Sequence, residues 1–504
     1  MRIGQDVDAA KTALIVSDGT RLAFAGLEER SLAWARLFRS QGLTDGDHIA
    51  MLLPNGPAMF EVGWAGQRSG LYYTPVNYHL APDEAAYIVA DCGARALIAS
   101  GELGNLAADV AARTPGLALT VAVGRAVPGF RPAEEALASA GSAPVVDQRD
   151  GTFMFYSSGT SGYPKGIVRQ LSGEPFTGRT PMAPILGGLF GMGPDTVYLS
   201  PGPLYHAAPL GWSMGVQGLG GTTVVMERFD AEQALALIEA HRVTHAQFVP
   251  TMLRRMLALP ESVRAEYDLS SLQAVVHAAA PCPVELKRAV IDWLGPIVLE
   301  FYAGSEGTGF FFIDTPSWLA HPGSVGRPAV GTVHICDDDG NELPVGETGT
   351  IWFEGTPDFE YHNDPEKTAG AFDARGWSTL GDLGTVDAEG YLYLTDRRGD
   401  LIVSGGVNIY PQEVENAMRL HPAIADVAVV GAPDADFGEK VLAVVQLEPG
   451  ATATADELIA WTRERLAHFK CPKLVEFTDE LPRLPTGKLL RRRVREQYVT
   501  PPAG

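Results

Sequence analysis

The sequence is short of three things. It has no long apolar run: nothing in it approaches the roughly 20 consecutive apolar residues of a membrane span. The first sixteen residues, MRIGQDVDAAKTALIV, carry Asp and Lys where a secretion signal needs an unbroken apolar core. It has only four cysteines in 504 residues, Cys92, Cys282, Cys336 and Cys471, with no C-x-x-C pair. That spacing argues against a disulfide framework or a thiolate zinc site and predicts reduced thiols. Basic charge is scarce too. Lys and Arg number 39 against 61 Asp and Glu, a formal net charge of −22, the wrong sign for coating a nucleic-acid duplex. Integral membrane proteins, disulfide-stapled modules and duplex binders are thereby set aside, and a cytoplasmic location is expected. An acidic chain still holds a small anion wherever local Lys, Arg and backbone N–H groups converge.

What is present is a globular balance, 46% hydrophobic and 20% charged, over a length that implies two or more domains. Residues 20–42 show apolar positions at helical spacing and end at Gly42. "GDHIAMLLPNG" reads as a strand closed by a turn, and "AAYIVADCGARALIAS" as helix, turn and strand. The rhythm recurs in "ALALIEAHRVTHAQFVP" and predicts an α/β domain with mostly parallel, helix-covered sheets. After about residue 320 the pattern changes: "GTVHICDDDGNELPVGETGTIWFEG" alternates like antiparallel hairpins. The run Asp337–Asp339 is expected at a hairpin tip, because no glutamate follows at the offset a calcium loop requires. The last hundred residues predict a small α+β domain. With a joint within residues 395–402, the expected domains are 1–396 and 397–504.

Four segments carry chemistry. Ser157-Ser158-Gly159-Thr160-Ser161-Gly162-Tyr163-Pro164-Lys165-Gly166 combines mobile backbone, hydroxyl donors and one cation, a composition suited to polyphosphate and equally to a surface linker. It is not a Walker loop, since no G-x-x-x-x-G-K-[ST] fits it. "FYAGSEG" (301–307) offers an aromatic face and Glu306, a hard oxygen donor. "GWSTLGDLG" (376–384) puts Asp382 in a glycine-flanked turn, and "LPTGKLLRR" (484–492) presents Lys488 before a basic run. Each alone is commonplace, whereas four in this order are specific.

In that order they resemble the adenylate-forming superfamily of acyl-CoA synthetases, luciferases and peptide-synthetase adenylation domains, over nearly the whole chain. The resemblance implies a large α/β domain with a small barrel-like β subdomain, then a small mobile α+β domain. It implies ATP, Mg2+ and coenzyme A as cofactors, and a small-molecule carboxylic acid and CoA as partners. By the same likeness Ser157, Ser158, Gly159, Thr160, Ser161, Gly162 and Lys165 form the phosphate loop. Tyr302 packs on adenine with Ser305 beside it, Asp382 and Arg397 grip the ribose, and Glu306 with Thr160 holds magnesium. Lys488 is the catalytic lysine, with Glu306 and His206 also at the reacting centre. Ser404, Gly405 and Gly406 line the CoA tunnel, Gly399 is the hinge, and His206, Trp212, Phe248, Ala278, Ala279 and Gly304 wall the acyl pocket.

The implied chemistry is attack of a carboxylate on the α-phosphorus of ATP, giving acyl-adenylate and pyrophosphate, then attack of a thiol with release of AMP. The chain departs from the family at Gly399, where Asp or Lys is common, at Ala303 and Ser161, and at Leu380, which removes a hydroxyl near the ribose. No aspartate stands in "PLYHAAPLGW" (203–212) for a substrate ammonium, so α-amino acids are disfavoured. A hydrophobic acid is expected: fatty, aryl-propenoic or steroid side-chain.

Rival readings fail on their own residues. Gly211-Trp212-Ser213-Met214-Gly215 spells a hydrolase nucleophile elbow, but Pro209 spoils the strand it needs. His241 and His245 sit at helical spacing with no third metal ligand near them. The run Arg491–Arg495 is expected to be a solvated face. A non-catalytic nucleotide sensor is disfavoured by intact Lys488 and Glu306. Loading of a carrier protein is the alternative to free CoA, which is expected because no carrier domain follows the lysine. Oligomeric state is left open.

Overall fold

The structure is a computed structural model, and it describes all residues except 158–163, 398–399, 405–406, 435–436, 484–488 and 500–504. Short runs rich in Val, Ile, Leu and Ala, buried along nearly their whole length, build the two large sheets, as strands covered by helices on both faces must. The first sheet is six-stranded and parallel throughout: 131–132, 119–123, 94–100, 48–52, 72–75, 152–153. The second is nine-stranded, with six parallel strands in the order 298–302, 274–277, 245–248, 197–200, 222–225, 12–16 and antiparallel strands at its edges. The expected helix over 20–42 is observed as Phe24–Ser40. Its first residues, Arg21–Ala23, are drawn instead into an edge strand against Thr12–Val16. Phe24, Leu27, Trp34, Leu37 and Phe38 turn inward from that helix at the expected period.

The region expected to be barrel-like consists of two small antiparallel sheets. One has the order 332–336, 349–354, 382–386, 392–397; the other has the order 360–361, 165–168, 155–157. Asp337 does sit at a hairpin tip, where its carboxylate accepts from the amides of Asp339 and Asn341. The small C-terminal domain has a sheet built from 402–404, 407–409, 424–434, 438–447 and 474–477, with helices Pro411–Arg419, Ala455–Arg463 and Arg491–Tyr498 packed on it. All four cysteines are free thiols. Among the described residues no helix is long and apolar enough to cross a membrane.

The chain path sets the two ends of the segment expected to be the phosphate loop. The apolar run 152–156 reads as one strand, yet it changes sheets at Met154. Thr152–Phe153 completes the parallel sheet beside Tyr72–Tyr73, and Phe155–Ser157 pairs antiparallel with Lys165–Ile167. Residues 158–163 therefore connect the two arms of a hairpin, rather than a strand and a helix.

Candidate active site

The C-terminal ends of parallel strands are where α/β sheets offer ligand sites. Here three such ends, after Phe248, His277 and Tyr302, border a cavity of about 830 Å³ whose far wall is the small domain. Ala278–Ala280 and Cys282 form one side, Glu300–Ala303 the floor, and Asp382 a corner. Ala279 on this wall holds φ +72 without being glycine, a strained conformation of the kind that collects at functional sites.

Tyr302 ends its strand at the cavity, and its hydroxyl donates to Asp382 Oδ2 at 2.6 Å. Asp382 is buried, and its strand register puts Arg397 directly opposite. Gly304 has no room for a side chain: a Cβ there would lie 2.6 Å from Leu380 Cδ2 and 2.8 Å from Glu306 Oε2. Leu380 thus packs on the turn that presents Glu306. The Tyr361 hydroxyl donates to Glu306 Oε1 at 2.9 Å, and Arg169 donates to the Ser305 carbonyl at 3.0 Å.

Among the described residues no group of three or more His, Cys, Asp and Glu is arranged to hold a metal ion. Glu306 contributes one hard carboxylate donor. That donor fits a magnesium ion carried in by phosphate oxygens and water better than a resident ion in a protein cage.

Lys165 stands at the start of the second arm of the hairpin Phe155–Ser157/Lys165–Val168 and forms a 2.6 Å ion pair with Asp364. The hydrogen bond raises the pKa of Lys165 and lowers that of Asp364. Asp364 also caps helix Pro365–Gly370 by accepting from the Lys367 amide. Ser158, Gly159, Thr160, Ser161 and Gly162 lie outside the described residues, as do Gly399, Gly405, Gly406 and Lys488 and the side chains of Ser157 and Arg397. Ser404 ends the strand Ile402–Ser404, opposite Val407 and Gly438.

The expected acyl residues divide. Ala278 and Ala279 line the cavity, and Trp212 packs in an aromatic group beside it, 4.6 Å from Phe190 and 5.3 Å from Phe301 between ring centroids. His206 precedes helix Ala207–Gly218, its ring against Tyr205. Phe248 is a correction. Strand alternation turns it, with Ala246, into the core formed with Met252 and Leu253, while Gln247 faces Tyr198 and the aromatic group.

The geometry also speaks against the two rivals already disfavoured, and it corrects the expectation for residues 491–495. Ser213 is buried within the helix Ala207–Gly218, so no strand-to-helix elbow exists there. His241 ends a helix whose next residue, Arg242, has φ +48, whereas His245 begins a buried strand and bonds the Phe190 carbonyl. The two histidines share no helical face. The run at 491–495 is only half solvated. Arg491 pairs with Glu415 at 2.8 Å and Asp400 at 3.3 Å, and Arg495 reaches Asp400 at 3.8 Å, because positions four apart share one helix face.

Tyr361, Asp364 and Arg169 escape a reading of motifs. Nothing in "EYHNDPEKT" or "PKGIVRQ" announces a partner tens to hundreds of residues away. A buried polar group on the cavity floor, Lys287 with Glu300 and His277, was equally hidden.

The chain matches the AMP-binding enzyme family over residues 5–357 and the AMP-binding enzyme C-terminal domain over residues 413–488. A feruloyl-CoA synthase of Amycolatopsis sp is 36% identical over 486 residues, 95% of this chain and 94% of that protein. A fatty acid–[acyl-carrier-protein] ligase of Streptomyces coeruleorubidus is 32% identical over 502 residues, 97% of this chain and 93% of its own length. The ATP-bound MatB of Rhodopseudomonas palustris superposes with a TM-score of 0.84 at 28% identity, covering 97% of this chain and 96% of that one.

Proposed function

The chain belongs to the AMP-binding enzyme family and is an AMP-forming acyl-CoA ligase, and from that premise we propose that it activates a hydrophobic carboxylic acid. A carboxylate oxygen attacks the α-phosphorus of ATP. The bond to the bridging oxygen breaks, pyrophosphate leaves, and an acyl-adenylate remains. The sulfur of CoA then attacks the acyl carbon, and AMP departs. No protein nucleophile takes part, so positioning and charge neutralisation lower the barrier.

The observation that carries this reading is the meeting of Tyr302 and Asp382 at a cavity at the C-terminal ends of parallel strands, with Glu306 on the turn that follows Tyr302. Tyr302 packs on adenine, and Asp382, fixed by the Tyr302 hydroxyl, holds the ribose with Arg397. Residues 157–162 and Lys165 receive the β- and γ-phosphates. Glu306 with Thr160 would hold magnesium, which supplies neutralisation of phosphate charge when bound with ATP. Lys488 stabilises the transition state of adenylation, and Ser404, Gly405 and Gly406 line the path of CoA. We take the domains as 1–396 and 397–504. The strand Leu392–Arg397 closes a sheet of the large domain and Ile402–Ser404 opens the sheet of the small one, which supports a hinge at Gly399.

The hydrophobic acid is supported by the aromatic group of Phe190, Trp212, Phe301 and Phe310 packed with Ala278. Fatty, aryl-propenoic and steroid side-chain acids are the classes to test. Purified protein with ATP, magnesium, CoA and a panel of such acids should release AMP and form a thioester with at least one. No AMP from any acid, under conditions where ATP binds, contradicts the reading. The second reading, transfer to a carrier protein, is favoured by the relative named for that acceptor. Replacing CoA in the same assay by a phosphopantetheinylated carrier protein separates the two.

The Lys165–Asp364 pair yields a further expectation. Asp364 competes with phosphate for Lys165, and asparagine keeps the helix cap while removing the charge. Asp364→Asn should therefore tighten ATP binding by roughly two- to fivefold, the scale of a partly exposed ion pair. Equilibrium titration with ATP measures this. Weaker binding by the variant would show that Asp364 orients Lys165 instead of competing for it.

A further inference from the structure

Arg169 belongs to none of the motifs above. It follows the strand Lys165–Val168, four residues beyond Lys165 on the same face, and is partly buried. Its main chain is anchored to the six-stranded sheet, because the Tyr72 hydroxyl donates to its carbonyl at 2.9 Å. Its side chain crosses to the turn Gly304–Gly307, which is closed by a bond from the Gly307 amide to the Gly304 carbonyl at 3.1 Å. There Nη2 donates to the Ser305 carbonyl at 3.0 Å. The guanidinium packs directly against Gly307: a Cβ at that position would fall 2.2 Å from Nη2 and 2.5 Å from Cζ. Gly307 also has φ +76, so only glycine meets both demands without strain.

Charge points the same way as shape. The guanidinium brings a positive charge to the turn that carries the Glu306 carboxylate. On its other side Glu306 accepts from Tyr361, whose strand pairs with Lys165–Val168 at Ile167. The turn is thus held at Ser305 by Arg169 and at the Glu306 carboxylate by Tyr361, both tied to the strand Lys165–Val168.

We propose that Arg169 is a positioning residue that staples the Glu306 turn to the phosphate-loop strand, so that both halves of the nucleotide site hold one geometry when ATP binds. The proposal rests on the nucleotide reading given above. Methionine at 169 would fill a similar volume but leave the Ser305 carbonyl without its donor and Glu306 without its neighbouring cation. Lysine would restore the charge without the planar fork.

Binding of Mn2+·ATP, followed by electron paramagnetic resonance, reads the site without turnover, and pyrophosphate exchange separates kcat from KM. Arg169→Met should weaken Mn2+·ATP binding and lower the kcat of exchange by about 10- to 100-fold, as loss of an orienting neighbour of a metal ligand does. Its thermal midpoint should stay close to the parent's, and Arg169→Lys should recover part of both losses. If Arg169→Met does not fold, Arg169→Lys and Gly307→Ala carry the comparison. Gly307→Ala displaces the guanidinium and should weaken Mn2+·ATP binding in the same direction. Parental Mn2+·ATP affinity and kcat in the folded variants overturn the staple while leaving the ligase reading intact. A parent that binds Mn2+·ATP but exchanges no pyrophosphate with any acid overturns the ligase reading instead.

Discussion

Replacing Lys488 by alanine is expected to slow acyl-adenylate formation by roughly 10²- to 10³-fold or more, the loss seen when one preorganised donor to a developing charge is removed. Thioester formation from supplied acyl-adenylate should stay near the parental rate. The asymmetry follows from what each half-reaction asks of the protein. Adenylation gathers negative charge at the α-phosphorus and needs a cation there. Thiol attack on the adenylate expels AMP, already a good leaving group, and in related enzymes proceeds with the small domain turned so that the lysine is withdrawn.

Lys488 itself lies outside the described residues, but the ends of its segment are fixed. Arg483 and Leu489 form an antiparallel bridge, Arg483 is paired with Asp426, and Arg483, Leu489 and Leu490 all border the cavity. Three residues on, Arg491 is tied to Glu415 and to Asp400, which neighbours the proposed hinge. If Lys488 serves adenylation as proposed, these anchors tie the position of its segment to the small domain. Pyrophosphate release, timed in a rapid-quench experiment beside thioester formation from synthetic adenylate, measures both halves. Equal loss in the two contradicts the assignment of Lys488 to adenylation alone.

The sequence was legible where chemistry is written in consecutive residues. Tyr302 and Glu306 stand in one short strand-and-turn segment, and Asp382 follows a glycine with φ +74. Such segments fix their own backbone, so their spelling survives translation into structure. The parallel sheets were legible for a similar reason, since strands buried on both faces leave continuous apolar runs. What was missed depends on pairing across the chain. Asp364 meets Lys165 across 199 positions, and Tyr361 meets Glu306 across 55. The change of sheet at Met154 is silent because the apolar run continues through it. Phe248 was misassigned because a strand four residues long leaves its facing to its neighbours, and the register with His277 turns it toward the helices.

Lys287→Met is expected to destabilise the large domain by about 3–5 kcal/mol, the cost of breaking a buried ion pair by removing one partner. Lys287 Nζ lies 2.5 Å from Glu300 Oε2, both side chains are buried, and the ammonium sits 4.8 Å from the centre of the Trp318 ring. Among the described residues, the other group paired with Glu300 is His277. His277 Nε2 is 3.5 Å from the same carboxylate oxygen, but burial and the Lys287 charge hold its pKa well below the ordinary value, so it is neutral. Without Lys287 the carboxylate keeps its burial and loses its counter-charge, which raises its pKa further than burial already does. A raised carboxyl pKa in the folded state gives stability that is full below the unfolded pKa and is lost as pH rises through the folded one. The deficit of Lys287→Met should therefore be small near pH 5 and grow toward pH 8. The double variant Lys287→Met with Glu300→Leu removes both charges from the cavity floor and should recover most of the loss at pH 8. Urea unfolding followed by tryptophan fluorescence at both pH values measures all three proteins. A single variant as stable at pH 8 as the double one would mean that Glu300 carries no charge in the folded protein, and the ion pair would have to be redrawn as a neutral hydrogen bond.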